Sequence, residues 1–402
     1  MISEKMKSQI GNELVIRGMF ETGLKMKQEF GAENVFDFSL GNPNVPAPQK
    51  VQDSIVDIVQ TMEPVQIHSY MPNAGFPAVR AAVAENLNKK YGTSYRADNI
   101  IMTAGAGSAI NIILKAILDI DDEVICLAPY FAEYKGYIQN YYGKVVEVMP
   151  VDDGSFYPDL EALSDAITDR TKAVIVNTPN NPTGVVLPEE VLTGVAKVLR
   201  DKEDETGHPI YLISDEPYRE IVYGENKDIP WIPDLYDDTL VTYSYSKTLS
   251  LPGERIGDIV IPDSVSGSKE LIGAVTTAIL TLGVVNAPSL MQLVVARCLD
   301  EKSDVDFYEE NGKLLYDIVT EAGFEAVKPQ GAFYLWVKAP GNEKCPDDDA
   351  LTNAAKEHKI LVVPGNAFAG PGYVRLSFCV SRDMIKRSRN AFLDLGRDVF
   401  GE

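Results

Sequence analysis

Lys247 sits in SYSKTLSLPGERIG, Ser244 to Gly257, among small hydroxyl residues where an apolar run read as a strand ends on the lysine, with Arg255 eight positions later. An amine held out of bulk water near another cation has a lowered pKa, and its neutral form can attack a carbonyl to give an imine. Arg255 can supply that neighbouring charge and can also donate to a phosphate. Three other stations follow apolar runs in the same way: AGAGSAI (Ala104 to Ile110) after IIMT, NTPNNPTG (Asn177 to Gly184) after AVIV, and DEPYREIVY (Asp215 to Tyr223) after IYLIS.

Each station has its own chemistry. The AGAGSA turn leads into the helical pattern INIILKAIL and can turn backbone N–H groups at a helix start toward an anion. A dinucleotide fingerprint would need a third glycine where Ile110 stands, and a P-loop would need a Gly-Lys-Ser/Thr sequence that is absent. In NTPNNPTG two prolines flank an Asn-Asn pair and hold the Asn181 amide, which both donates and accepts hydrogen bonds. Asp215 ends a buried run, so its carboxylate needs a partner at the sheet rim; the structural alternative is a helix N-cap. Tyr218, three residues on, shares its face if the turn coils as a helix start.

The elements that must position these groups read as α/β. VICLA (Val124 to Ala128), AVIVN (Ala173 to Asn177) and IYLIS (Ile210 to Ser214) are apolar without strict alternation, as parallel strands buried on both faces are. Helical patterns such as EEVLTGVAKVLRDK (Glu189 to Lys202) lie between them, which predicts βαβ units and a doubly wound sheet. In such sheets ligands bind beyond the carboxyl ends of the strands, where all four stations fall. After Val285 the pattern changes to a long helical stretch (Ser289 to Ala322), strands FYLWV (Phe333 to Val337) and YVRLSF (Tyr373 to Phe378), and a final helix from Arg382. That predicts a large domain over 46–285 and a smaller α+β domain formed by 286–402 together with 1–45, whose helix runs from about Leu14 to Glu29.

Composition narrows the partners. The 402 residues are 45% hydrophobic and 24% charged, as in a soluble globular protein, and carry a net charge of −22 that repels nucleic acid and anionic lipid. Cys126, Cys298, Cys345 and Cys379 are scattered, with neither the density of a disulfide framework nor a CxxC metal pair, and no stretch has the length of a signal peptide or membrane span. A cytoplasmic protein with reduced thiols, no metal, no nucleic acid and no membrane partner is the expectation.

One chemistry uses all the stations together. An aldehyde cofactor bearing a phosphate would be held by a lysine imine, with a carboxylate against its pyridinium nitrogen: pyridoxal phosphate. NTPNNPTG, SDEPYREIVY, SYSKTLSLPGERIG and YVRLSF, in this order, resemble the fold-type-I pyridoxal-phosphate enzymes of the aspartate-aminotransferase superfamily, specifically the class I/II aminotransferases, over nearly the whole chain. The resemblance implies that Lys247 forms the imine and shuttles a proton, that Asp215 pairs with the ring nitrogen, and that Asn181 and Tyr218 bond the ring oxygen. The backbone of Gly105, Ala106 and Gly107, with Ser244, Ser246 and Arg255, would hold the phosphate. Relatives often place a hydroxyl or lysine where this chain has Ala106 and Gly107, so main-chain N–H groups must carry more of that work. Phe131 in APYFAEY matches the ring that stacks on the pyridine; Tyr130 and Tyr134 are the alternatives. Arg375 matches the arginine that grips the substrate α-carboxylate and Gly41 a glycine touching the same group. Tyr70 matches a tyrosine that reaches the neighbouring subunit's phosphate, implying a homodimer with shared sites.

The implied function is transfer of the α-amino group of an L-amino acid to a 2-oxo acid by a ping-pong route. A carbon–sulfur β-lyase or an aminocyclopropane-carboxylate synthase begins from the same groups and is the alternative on this fold. A ligand-sensing regulator would need an added DNA-binding module, for which the acidic chain leaves neither room nor charge.

Overall fold

The computed structural model describes residues 2–10, 14–224 and 229–401, apart from the side chains of 8–10, 14–17 and 20. Its strands are β1 (Phe36–Asp37), β2 (Ile100–Thr103), β3 (Glu123–Leu127), β4 (Lys144–Val148), β5 (Thr171–Asn177), β6 (Tyr211–Asp215), β7 (Thr239–Ser244), β8 (Gly257–Val260), β9 (Ala326–Val327), β10 (Tyr334–Lys338), β11 (Ile360–Leu361), β12 (Val363–Pro364) and β13 (Tyr373–Ser377). Seven form one sheet in the order β2-β8-β7-β6-β5-β3-β4, parallel throughout except for β8. The three apolar runs read as parallel strands are β3, β5 and β6.

The unbroken apolar character of β5 has its reason in packing on both faces. Ala173 and Ile175 pack with Ile110 and Ile113 of the helix Ala106–Ile117, while Val174 and Val176 pack with Leu192 and Val195 of the helix Glu189–Thr206. A second, antiparallel sheet runs β12-β13-β10-β9, and its core joins Leu335 and Leu376 to Leu315, Phe392 and Leu395 of two helices. The two-residue strands β1 and β11 pair in parallel, tying the segment before Gly41 to this second sheet's neighbourhood.

Two sequence expectations are corrected. The stretch Ser289 to Ala322 is not one helix but two, Ser289–Val295 and Val305–Glu321. Asp304 restarts the helix, its side chain accepting from the Phe307 N–H at 3.0 Å. The break carries Ser303 onto the lysine turn, where its N–H donates to the Thr248 carbonyl at 2.6 Å and its hydroxyl to the Lys247 carbonyl at 3.3 Å. Lys247 itself does not end a strand. β7 stops at Ser244, and Lys247 lies on the single helical turn Tyr245–Thr248, capped by the Ser244 hydroxyl, which accepts from the Ser246 N–H at 3.3 Å.

Candidate active site

Strand register brings the stations together. Asn177 at the end of β5 pairs with Asp215 at the end of β6, and Asp215 with Thr242 of β7. Gly257, the first residue of the antiparallel β8, pairs with both Ser244 and Thr103, so Arg255 enters at the same rim where the parallel strands leave. Gly257 has no room for a side chain: a Cβ would stand 2.3 Å from the Tyr243 carbonyl oxygen and 3.0 Å from the Gly105 Cα.

A cavity of about 260 Å³ opens at that rim. Gly41, Ala106, Gly107, Phe131, Asn181, Asp215, Tyr218, Ser244, Ser246, Lys247, Arg255 and Arg375 all line it. Gly105 adjoins it as the N-terminal flank of the Ala106 helix, at φ +81°, where a Cβ would fall 2.8 Å from Arg255 Nη2. Tyr70 does not join them: it is 86% exposed on a loop outside the cavity.

Asp215 is buried, and its carboxylate accepts from the Tyr134 hydroxyl at 2.5 Å and from the Thr242 hydroxyl at 3.1 Å. Burial pushes its pKa up to about 6, although both hydroxyls favour the ionised form. The turn after Asp215 does not coil into a helix, so the N-cap alternative falls away. Tyr134 is fully buried behind Asp215, and Tyr130 donates to Glu147 at 2.7 Å, which leaves Phe131 as the aromatic ring of APYFAEY that faces the cavity.

Lys247 Nζ donates to the Gly41 carbonyl at 2.9 Å. Desolvation lowers its pKa to about 8, with Arg375 and Arg255 adding to the fall and Cys379 opposing it. The charge expected from Arg255 is therefore present, but burial is the larger cause. Ser244 and Ser246 share a 2.9 Å hydroxyl–hydroxyl bond beside the lysine turn. Among the described residues, Arg255 donates two long hydrogen bonds, 3.3 Å each, to the carbonyls of Pro252 and Ala104, reached through the Leu251–Glu254 turn.

Arg375 lies on β13, buried between the rings of Tyr334 and Phe368 at 4.5 and 4.6 Å. Its Nη1 donates to Asn181 Oδ1 at 2.8 Å and its Nη2 to the Ser39 carbonyl at 3.0 Å, while Nε, equally buried, has no acceptor among the described residues. Asn181 is held in turn by its own N–H, which donates to Asn177 Oδ1 at 2.7 Å. The neutral phenol of Tyr218 bonds the Tyr334 hydroxyl at 2.8 Å, and burial raises its pKa well above the usual value.

Sequence reasoning missed Tyr334, Tyr137 and Glu133 in the wall and Thr242 behind Asp215. Tyr334 belongs to FYLWV, one strand from Arg375, and only the β10–β13 pairing brings them together. Thr242 sits in the strand TLVTYS, where a hydroxyl two positions before the rim was the available signal.

The donor set fits the cofactor inferred from the sequence: a depressed lysine amine, a buried carboxylate, a glycine helix start beside a lightly used arginine, and an aromatic face share one cavity. Known proteins similar to this chain are aminotransferases. The family model for aminotransferase class I and II matches residues 33–392. A probable aspartate/prephenate aminotransferase of Aquifex aeolicus is 30% identical over 88% of each chain. An aspartate/prephenate aminotransferase of Thermus thermophilus is 33% identical over 80% of this chain and 82% of its own. Among solved structures, an amino transferase from Eubacterium rectale superposes with a TM-score of 0.94 at 44% identity, covering 99% of both chains. Aspartate aminotransferase from Thermus thermophilus with maleate gives 0.85 at 27% identity, over 98% of this chain and 99% of that one. With the cavity, these matches identify the chain as a member of the class I and II aminotransferase family, enzymes that work with pyridoxal phosphate.

Proposed function

We propose that the protein moves the α-amino group of an L-amino acid to a 2-oxo acid by a ping-pong route, with pyridoxal phosphate in the 260 Å³ cavity. The observation that carries this reading is the placement of Arg375, whose buried guanidinium, with Nε lacking an acceptor among the described residues, belongs to a side chain that lines the same cavity as Lys247. When bound, the cofactor supplies an electron sink for a carbanion at the substrate Cα.

The protein's own residues do the rest. Lys247 would hold the cofactor through its aldehyde carbon and would carry the proton at the substrate Cα. Asp215, fixed by Tyr134 and Thr242, would keep the ring nitrogen protonated. Asn181 and Tyr218 would donate to the ring oxygen, and Phe131 would pack on the ring. Main-chain N–H groups of Gly105, Ala106 and Gly107, with Ser244, Ser246 and Arg255, would hold the phosphate. Arg375 and the Gly41 backbone orient the α-carboxylate.

In this reading residues 46–285 form the cofactor-binding part, and residues 1–45 with 286–402 the smaller part that contributes Gly41 and Arg375. The exposed Tyr70, close in sequence to the exposed Val65, supports a homodimer in which Tyr70 reaches the partner's phosphate. Four buried free thiols suit a reducing cytoplasm. No helix among the described residues is long and apolar enough to cross a membrane.

The test is a half-reaction: holoenzyme mixed with single amino acids, without an oxo-acid acceptor, should convert bound cofactor to its amine form and release the matching 2-oxo acid. Release of pyruvate and ammonia from cystathionine without that conversion would instead identify a β-lyase.

A further inference from the structure

We propose that Asp348, which is not part of the cavity wall, is a positioning residue for the α-carboxylate grip and acts through the loop that carries Phe368. The proposal rests on the role given above to Arg375. Asp348 stands in the first turn of the helix Asp348–Glu357 and is buried. The N-cap of that helix is Asp347, whose side chain accepts from the Ala350 N–H at 2.8 Å, so Asp348 is free of that task. Both its oxygens turn to the loop between β12 and β13. Oδ2 accepts from the Asn366 N–H at 2.8 Å, and Oδ1 from the Asn366 side-chain amide at 3.2 Å and the Gly372 N–H at 3.1 Å. One side chain thus ties both ends of the segment 366–372.

Phe368 lies inside that segment and is fully buried. Its ring centre is 4.6 Å from the guanidinium carbon of Arg375, and its carbonyl accepts from the Tyr130 N–H at 3.0 Å, one residue before Phe131. Gly370 seats the loop closely: a Cβ there would stand 2.6 Å from the Trp336 ring and 3.0 Å from Pro129. The place of the Phe368 ring against Arg375 therefore depends on how the loop is held. A cation over an aromatic face is attracted more strongly when both are out of water, and a guanidinium already fixed in orientation binds a carboxylate with less ordering left to do. An amide at position 348 has a single acceptor oxygen, so whichever way it turns, its NH₂ group meets an N–H of the loop. The loop should then loosen and Arg375 lose its fixed orientation, while Lys247, Asp215 and Arg255 stay on elements that Asp348 does not bond.

Holoenzyme titrated with 2-methylalanine and with isopropylamine tests this, because the two probes differ only in the α-carboxylate. Binding is read from cofactor absorbance and, separately, by calorimetry, for the wild type, Asp348→Asn and Asn366→Ala, the last of which removes one of the three bonds. The wild type should bind 2-methylalanine more tightly than isopropylamine. Asp348→Asn should weaken 2-methylalanine about tenfold and leave isopropylamine within about twofold, and Asn366→Ala should show the same selective loss at about threefold. A 2-methylalanine affinity unchanged in the variants, or an equal loss for both probes as a general packing defect would give, overturns the positioning role and leaves the Arg375 reading standing. A wild type without preference for 2-methylalanine removes that reading and the inference with it. If Asp348→Asn does not fold, Asn366→Ala decides by the same criteria.

Discussion

Replacing Arg375 by lysine keeps the charge and removes the fork. In the wild type the guanidinium carbon lies 4.5 and 4.6 Å from the ring centres of Tyr334 and Phe368, with Nη1 donating to Asn181, Nη2 donating to Ser39, and Nε without an acceptor among the described residues. An ammonium is a point charge that cannot reach all three acceptors from one place or lie flat between two rings. Loss of one or two charge-assisted hydrogen bonds to the substrate, at about 1.5–3 kcal/mol each, predicts a fall of roughly 10 to 10⁴ in kcat/KM for amino acids. Orphaning Asn181 Oδ1 or the Ser39 carbonyl should cost a further ~1–3 kcal/mol of stability. Stopped-flow half-reactions against amino-acid concentration, with urea unfolding alongside, measure the two losses separately. The reasoning is refuted if Arg375→Lys keeps its amino-acid kcat/KM within threefold of wild type while folded and loaded with cofactor.

Two further outcomes follow from the same geometry. Lys247 has a folded pKa of about 8 against an ordinary 10.5, so the cofactor-free protein is destabilised most below pH 8, where a buried charge must be held, and the burden fades as pH rises toward 10.5. Cofactor-free Lys247→Met should therefore lack turnover yet exceed the wild type in stability by about 3 kcal/mol at pH 7, with the gap closing above pH 8; a constant gap from pH 7 to 10.5 in urea titrations would contradict the assigned shift. Gly257→Ala drives a methyl into the Tyr243 carbonyl oxygen and against Gly105, so it should lower stability by ~1–3 kcal/mol and weaken phosphate retention, read as Tm and as the cofactor dissociation constant. Unchanged values for both would mean that the β7–β8 rim can relax without moving the phosphate loop.

Much of this protein is local and therefore legible along the chain. Strands such as β5, apolar on both faces, report that helices cover the sheet on both sides, and a strand-end residue reports the rim, because ligand sites in open α/β sheets lie there. Asp215, Asn181 and Arg255 could be found for that reason, and Lys247 could be placed at the rim even though its position on a helical turn, not a strand, was misread. Helix breaks carried by one capping residue, as at Asp304, are faint against a continuous apolar pattern, so Ser289–Val295 and Val305–Glu321 merged into one.

The sequence by itself determined the residue types, their order and the parallel sheet that collects them, because hydrophobic period and strand-end chemistry are properties of neighbours in the chain. Only the tertiary structure decided that Tyr134 supports Asp215 instead of stacking in the cavity, that Tyr334 lies under Arg375, and that Glu133 lines the cavity. Those relations join residues 41 positions apart, as Tyr334 and Arg375 are, and 81 apart, as Tyr134 and Asp215 are, or turn on which way one side chain points. They depend on packing between separate elements, which no local pattern encodes.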